Sequence, residues 1–271
     1  MKINVIESNS KNFEVISSLR TVFEPKTPEL IEIRDVIRKG IQGLLVGNNE
    51  ILMAEFTDNT GLDELYDIEN VLFYNIGTGR FTPLTQNGIV FLKKGANEFD
   101  YDYSYKYSVV SIEKFNKESE KPIACFNDII FDKRLSNYKA TSFWKAFKEN
   151  SDKILIFDTI NKPQEYGFLL EVKVPEGKSV NFAAVIKPLL DGLISALHES
   201  DFSNEEANII SDKIDSTASL ITENNCAVLW KRKFYKGRAW NPADEYCTKV
   251  VLRVETSNDN KTHLSGQIFR K

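Results

Sequence analysis

Residues 99–107 read FDYDYSYKY, with an aromatic side chain at every second position. The residues between the rings, Asp100, Asp102, Ser104 and Lys106, are polar or charged. Side chains alternate between the two faces of a β-strand, so only a strand puts these two sets on opposite faces. The stretch therefore predicts a long, half-buried antiparallel strand and excludes a helical bundle or a solenoid.

The aromatic ladder has two interpretations. Aligned rings on a sheet can stack the unpaired bases of single-stranded nucleic acid. Rings on one face of a sheet also pack against helices and form a core, which is the interpretation we adopt. The negative charge of Asp100 and Asp102 on the other face would repel phosphates. Beyond Tyr107 the apolar alternation slips at Val110 and Ile112, which indicates a bulge or a strand buried on both faces.

Composition limits the class of protein. The chain has 271 residues, of which 42% are hydrophobic and 27% charged, with a formal net charge of -4. This composition excludes disorder and argues against a wholly basic nucleic-acid coat. Three cysteines far apart in sequence predict free thiols in a reducing compartment. Because no apolar stretch approaches membrane-spanning length, we expect a cytoplasmic protein with no membrane partner.

The pattern along the chain predicts an α+β fold, with mixed or antiparallel sheets and helices packed on one face. Helical spacing covers 12–23, and Thr27 with Pro28 opens a second helix. A strand is expected at 71–76, and the C-terminal strands are expected to form an antiparallel meander. A polar run at 113–122 places a boundary between an N-terminal region, 1–121, and a C-terminal region, 122–271, unless the chain is one domain. Further helices are expected at 188–198 and after Ser203, where Glu206 completes a capping box. No internal repeat is apparent.

The leading catalytic candidates are Asp158, Glu171 and Lys173. Asp158 follows a predicted strand, and a hairpin is the economical connection to the next strand, which carries Glu171 and Lys173 on one face. The arrangement resembles that of restriction-endonuclease-like nucleases. The resemblance implies that Asp158 and Glu171 bind Mg²⁺ or Mn²⁺ and that Lys173 orients the nucleophile or offsets charge. The alternative is an ordinary solvated strand face, since acid-x-lysine triplets recur elsewhere in the chain.

A second candidate is the polar face of the predicted helix at 188–198, formed by Lys187, Asp191, Ser195 and His198. Residues 187–193, KPLLDGL, resemble a helix in one class of Holliday-junction resolvases, which has a lysine and an aspartate at this spacing. That family places acidic residues and an asparagine just upstream. This chain has Asn181, Ala183 and Ala184 there, so the metal-binding acids are missing and the sequence assigns no site to the helix.

A third candidate is a basic segment near the C-terminus. Its cations interrupt an otherwise acidic chain and lie close to Trp240, a pattern that suits a phosphate backbone or an acidic protein partner. Lysines on solvated edge strands, which prevent unwanted pairing, are the alternative. The candidate binding residues are Lys231, Lys233, Arg238, Lys249 and Arg253.

These signals predict two functions. The first is a metal-dependent phosphodiesterase that acts on nucleic acid through Asp158, Glu171 and Lys173, with the basic segment contacting the backbone. The second is a noncatalytic adaptor or assembly component that binds another protein through the basic segment or its edge strands. The sequence predicts neither the substrate nor the oligomeric state.

Overall fold

The computed structural model describes residues 3–61, 65–96, 101–115, 121–132, 134–232 and 242–271. Ten strands form a single mixed sheet, and helices pack on one of its faces, as the α+β prediction expected. The strands are β1 Ile3–Ser8, β2 Asn12–Ser17, β3 Glu50–Asp58, β4 Gly88–Lys94, β5 Tyr103–Ser111, β6 Pro122–Phe131, β7 Ile154–Ile156, β8 Tyr166–Pro175, β9 Cys247–Ser257 and β10 Thr262–Arg270. The α-helices are α1 Pro28–Ile41, α2 Ala140–Glu149, α3 Phe182–Leu197, α4 Asn204–Ile214 and α5 Ala218–Thr222. None of them combines the length and the apolar character that crossing a bilayer requires.

The strand order is β1-β2-β5-β3-β4-β9-β8-β10-β6-β7. At its centre β4 pairs antiparallel with β9, while β3 is parallel to β4 and β8 is parallel to β9. All other pairings are antiparallel, so β1–β5 and β6–β10 form two similar halves on either side of the centre. The predicted boundary at 121/122 falls between β5 and β6, and the sheet is continuous across both halves. This two-fold arrangement has no visible counterpart in the sequence.

The aromatic ladder forms β5 from Tyr103 onward, and Phe99 and Asp100 lie outside the described residues. The strand pairs antiparallel with β2 and β3, and Tyr105 and Tyr107 are completely buried under the helices. Val110 packs on the opposite face of the sheet, beside Ile51 and Val251. The prediction of a half-buried antiparallel strand is therefore confirmed, and the slip after Tyr107 marks a segment buried on both faces rather than a bulge.

Two predicted helix starts are confirmed. The Thr27 hydroxyl accepts a hydrogen bond from the amide of Leu30 at 3.4 Å, with Pro28 as the first helical residue of α1. In α4 the Ser203 hydroxyl accepts from the amide of Glu206, and the Glu206 carboxylate accepts from the Ser203 amide. Side chains that satisfy the first amides of a helix fix where it begins.

Four local predictions are wrong. The segment 12–23 was expected to be helical, but its first half forms β2, because pairing with both β1 and β5 outweighs its helical spacing, and the rest is irregular. Residues 71–76 were expected to be a strand but lie mostly in a π-helical turn, Asn70–Tyr74. No hairpin joins β7 to β8, because β6 and β10 lie between them. The C-terminal strands do not form a meander, because β8 separates β9 from β10.

Candidate metal centre

The structure does not bring Asp158 to Glu171 and Lys173. Asp158 follows β7 and forms an ion pair with Arg270, whose Nη2 lies 3.0 Å from its Oδ2. Arg270 is at the far end of β10, and Glu171 on β8 is aligned with Ser265, five residues earlier on β10. At about 3.3 Å per residue, this separates the backbone of Arg270, the partner of Asp158, from the position of Glu171 by about 17 Å along the sheet.

Glu171 and Lys173 form an exposed ion pair, with the lysine Nζ 3.3 Å from Oε1 of Glu171 and 3.8 Å from Oε2 of Glu255. Glu171 and Lys173 line an open groove on the sheet face away from the helices. The same groove holds His263, whose Nδ1 is 2.6 Å from Asp128 and whose Nε2 is 2.9 Å from Asp259. These contacts describe a network of surface ion pairs.

The predicted basic residues are divided between two places. Lys231 pairs with Asp201, with 2.6 Å between Nζ and Oδ1. Lys249 and Arg253 lie on β9 and face away from the helices, on the same sheet face as Glu171. Lys249 lies over the ring of Phe269. Lys233 and Arg238 lie outside the described residues.

A different group of acids surrounds Lys187, which extends from the middle of α3. Its Nζ lies 3.1 Å from a carboxylate oxygen of Glu69, of Asp191 and of Asp244, and 3.7 Å from Oδ2 of Asp67. An ammonium group has three N–H donors, and here all three point to carboxylates. We call these five residues the Lys187 cluster.

Asp67 and Glu69 reach the cluster from the short helical segment that follows β3. The backbone oxygen of Asp67 accepts the amides of Asn70 and Val71, so Asp67 marks the start of the turn. Its side chain also accepts a hydrogen bond from Nδ2 of Asn70, at 2.7 Å. The hydroxyl of Tyr107 on β5 donates to the carbonyl of Leu72 at 2.8 Å and anchors the turn to the sheet. One ring of the aromatic ladder thus holds the segment that carries two acids.

Asp244 and Lys187 are held by other elements. Asp244 begins a single 3-10 turn just before β9, and the buried hydroxyl of Tyr166 donates to the preceding carbonyl, that of Ala243, at 2.8 Å. Lys187 and Asp191 lie one turn apart on α3 and share a face. Gly192 lets α3 approach α2, since a Cβ there would lie 2.5 Å from the carbonyl oxygen of Ala140.

The Lys187 cluster carries an excess of buried negative charge, because one ammonium faces four carboxyl groups. Burial, aided by the neighbouring carboxylates, raises the pKa of Asp67, Asp191 and Asp244, against the opposing effect of Lys187. Burial raises the pKa of Glu69 to about 8. Burial lowers the pKa of Lys187, but the carboxylates outweigh this and raise it far above its usual range, so Lys187 stays charged. At neutral pH the negative charge of the Lys187 cluster must therefore be balanced, either by protons on the carboxyl groups or by further cations.

One atom of the Lys187 cluster is not satisfied. Oε2 of Glu69 is buried and has no hydrogen-bond partner in the described part of the chain, and the Glu69 side chain is 1% exposed. A buried carboxylate oxygen without a partner costs free energy unless something binds it. Oxygens of Glu69, Asp191 and Asp244 lie within 4.8 Å of one another, as do oxygens of Asp67, Asp244 and Glu245. Asp244 belongs to both groups, so the Lys187 cluster, together with Glu245, whose Oε1 accepts from Arg232, offers two adjacent oxygen sites of the kind that hard divalent cations select.

Helical spacing pointed to Lys187 and Asp191, but no sequence pattern pointed to Asp67, Glu69 or Asp244. The resolvase class mentioned above has acidic residues and an asparagine just before its lysine. This chain has Asp67, Glu69 and Asn70 in an earlier segment, and the fold brings that segment to Lys187. The available signal was the sequence DIEN at 67–70, which is informative only when its contact with α3 is known.

No protein-family model matches the chain, and no curated protein matches its sequence.

Proposed function

We propose that this protein is a metal-dependent phosphodiesterase that acts on nucleic acid through the Lys187 cluster. The observation that carries the proposal is the position of the Lys187 ammonium among four largely buried carboxyl groups, one of which, Glu69, has an oxygen with no partner. An ion-pair network built for stability alone would balance its charges, because uncompensated buried charge is costly.

The donor set fits Mg²⁺ or Mn²⁺. All the available ligands are carboxylate oxygens, which hard divalent cations prefer over softer metals. Glu69, Asp191 and Asp244 would hold one ion, and Asp67, Asp244 and Glu245 a second. Paired divalent ions supply activation of water and stabilisation of the departing oxygen in phosphoryl chemistry.

Lys187 and Asp67 have separate roles in this proposal. Hydrolysis adds water across one P–O bond: the water oxygen joins phosphorus, and a proton ends on the departing oxygen. Lys187 cannot act as a base because it stays charged, so it positions the acids and offsets negative charge on the phosphate. Asp67 is the most exposed of these carboxylates, with 33% of its side chain exposed against 23% for Asp191 and 20% for Glu245, and so marks where the substrate enters.

Further support comes from the cysteines and from the resolvase resemblance. Cys125, Cys226 and Cys247 are all free thiols, which suits a reducing cytoplasm, where nucleic acids are abundant. The segment 187–193 resembles a resolvase helix, and its lysine lies beside Asp67 and Glu69, which come from a distant segment and not from just upstream, where that family has its acids. We therefore propose a cytoplasmic enzyme of nucleic-acid metabolism.

Cleavage assays with matched variants test the proposal. The wild-type protein is incubated with labelled single-stranded, duplex and branched DNA and with RNA, in Mg²⁺, in Mn²⁺ or in EDTA. We expect metal-dependent cleavage of at least one substrate, and a loss of about 100-fold or more in Asp244→Asn. Asp158→Asn, which removes a carboxylate that follows the edge strand β7 and pairs with Arg270, should cleave normally. Equal cleavage by the two variants, or no cleavage by the wild type, would refute the proposal.

One observation favours the second function, that of an adaptor. Strand β7 is an edge of the sheet, and Leu155 within it and Phe157 just after it are 56% and 59% exposed. An apolar edge strand can pair with a strand of another protein. Under this alternative, Leu155→Lys abolishes a partner interaction in a pull-down, whereas Asp244→Asn leaves that interaction intact.

A further inference from the structure

A cavity of about 490 Å³ opens beside the Lys187 cluster, and Asp67 lines it. The cavity lies on the exposed side of Asp67, and its volume is within the range of small-ligand sites. Its other walls include Arg20, Phe23, Leu65 and Tyr66. The proposed reaction centre is therefore flanked by a site with a cation and exposed apolar side chains.

Arg20 gives this cavity an affinity for anions. Its guanidinium lies 4.1 Å from the centre of the Tyr66 ring, and Nζ of Lys93 lies 5.8 Å from the same ring centre. Stacking on an aromatic ring leaves the N–H edges of a guanidinium available, and those edges match the oxygens of a phosphate. In the described ranges no ion pair or hydrogen bond occupies the Arg20 guanidinium. A nucleic-acid strand could therefore place one phosphate on Arg20 in the cavity and the next at the metal sites proposed in the Lys187 cluster.

Phe23 gives the cavity an aromatic surface. The side chain is 64% exposed, and its ring is 6.3 Å from that of Tyr74. Leu65, on another wall, is 47% exposed. Exposed rings beside a cationic groove are what single-strand binding proteins use to stack bases. A base within a continuous duplex has both faces covered by its neighbours and is not available for this contact.

We infer that this cavity binds an unpaired nucleotide next to the phosphodiester that is cleaved, with its base against Phe23 and a phosphate on Arg20. The inference rests on the proposed function and adds a substrate class: nucleic acid with at least one unpaired nucleotide at the cleavage site. Continuous duplex would bind more weakly, because only its phosphates would make contact.

Fluorescence anisotropy with a labelled 12-nucleotide single strand, and with the matching blunt duplex, tests the inference. Ca²⁺ replaces Mg²⁺ so that the acids bind a cation while cleavage is suppressed. We expect the wild type to prefer the single strand, and Phe23→Ala to weaken single-strand binding by about 5- to 100-fold. Phe23→Trp should retain it. Phe157→Ala, which removes an equally exposed phenylalanine at the edge strand, is the matched control.

Mn²⁺ binding measured on the same samples separates the two proposals. If Phe23→Ala binds Mn²⁺ and the single strand as the wild type does, the inference about the cavity is wrong while the metal centre stands. If the wild type binds no Mn²⁺, the proposed function itself fails. Equal affinity of the wild type for single strand and duplex would also overturn the inference.

Discussion

Glu69 and Lys187 are 118 residues apart in sequence, yet Oε1 of Glu69 lies 3.1 Å from Nζ of Lys187. The two residues belong to different halves of the sheet, since Glu69 lies between β3 and β4 and Lys187 between β8 and β9. Because β4 and β9 pair at the centre, the segments that precede these strands meet above the middle of the sheet. The candidate site is thus assembled across the two halves.

Removing the Lys187 charge should destabilise the metal-free protein. Lys187→Ala leaves the carboxyl groups of Glu69, Asp191 and Asp244 without their cation, and the loss of one partner from a buried ion pair costs about 3–5 kcal/mol. Urea denaturation measures the free energy of unfolding. Lys173→Ala is the control: it removes an exposed, solvent-screened ion pair, and it should lower the free energy of unfolding far less than Lys187→Ala. Equal losses of unfolding free energy in the two variants would mean that Lys187 stabilises the protein no more than an exposed lysine does.

The stability of the metal-free protein should fall as pH rises. Burial raises the folded-state pKa of Glu69 to about 8, above its unfolded value of 4.5. The folded protein therefore binds a proton that the unfolded chain has released, and stability is lost between pH 4.5 and pH 8. Thermal denaturation at pH 5.5 and pH 8 measures this, and Glu69→Gln should flatten the dependence. A Glu69→Gln profile that matches the wild type would contradict the assignment.

Divalent metal should restore the folding stability that is lost as pH rises. An ion present at 100 times its dissociation constant stabilises the folded state by about 2.7 kcal/mol, which corresponds to an increase in Tm of roughly 5 °C for a chain of this size. Because carboxylates must lose their protons to bind metal, the increase should be larger at pH 8 than at pH 5.5. Differential scanning calorimetry with and without Mn²⁺ measures both values. An increase that does not depend on pH would show that the ion binds elsewhere.

The sequence could predict features that depend on neighbouring residues. The alternation at 101–107 predicted β5, and Ser203 with Glu206 predicted the start of α4. It could not predict which strands pair, so the expected hairpin between β7 and β8 placed Asp158 beside Glu171, although β6 and β10 separate them. For the same reason, that the sequence does not show which distant segments meet, the contact between Asp67 and Lys187 could not be predicted. Lys187 and Asp191 were noticed because they lie one turn apart on a single helix.

The two histidines should titrate at opposite ends of the usual range. Hydrogen bonding to Asp259 and Asp128 raises the pKa of His263, while burial lowers the pKa of His198 to about 4. The folded protein favours protonated His263, so the stability that His263 contributes is lost as pH rises through its folded-state pKa. The folded protein favours neutral His198, so the stability that His198 contributes is lost as pH falls from 6.5 towards 4. The chain has only these two histidines, so NMR titration of the imidazole protons reports both, with His263→Asn as the assignment control. Two curves with the same midpoint would contradict this prediction.

Close packing of α3 against α2 should be sensitive to one methyl group. In Gly192→Ala the new Cβ would lie 2.5 Å from the carbonyl oxygen of Ala140 and 2.6 Å from Cβ of Phe143. Overpacking of this kind costs about 1–3 kcal/mol, and the shift of α3 should also weaken metal binding at the adjacent Asp191. Gly79→Ala is the control, because no atom lies within 4 Å of the added Cβ. A Gly192→Ala variant as stable as Gly79→Ala would show that the helices have room to separate.

Direct titration of Mn²⁺ tests the central claim, that the carboxylates around Lys187 bind divalent cations. Electron paramagnetic resonance counts free Mn²⁺ in the presence of wild type, Asp244→Asn and Asp158→Asn at pH 8. Asp244 belongs to both groups of oxygens, so its variant should lose about tenfold or more in affinity, as expected when a ligand carboxylate is removed. Asp158→Asn should bind like the wild type. Wild-type affinity in Asp244→Asn, or no bound Mn²⁺ in the wild type, would contradict the claim.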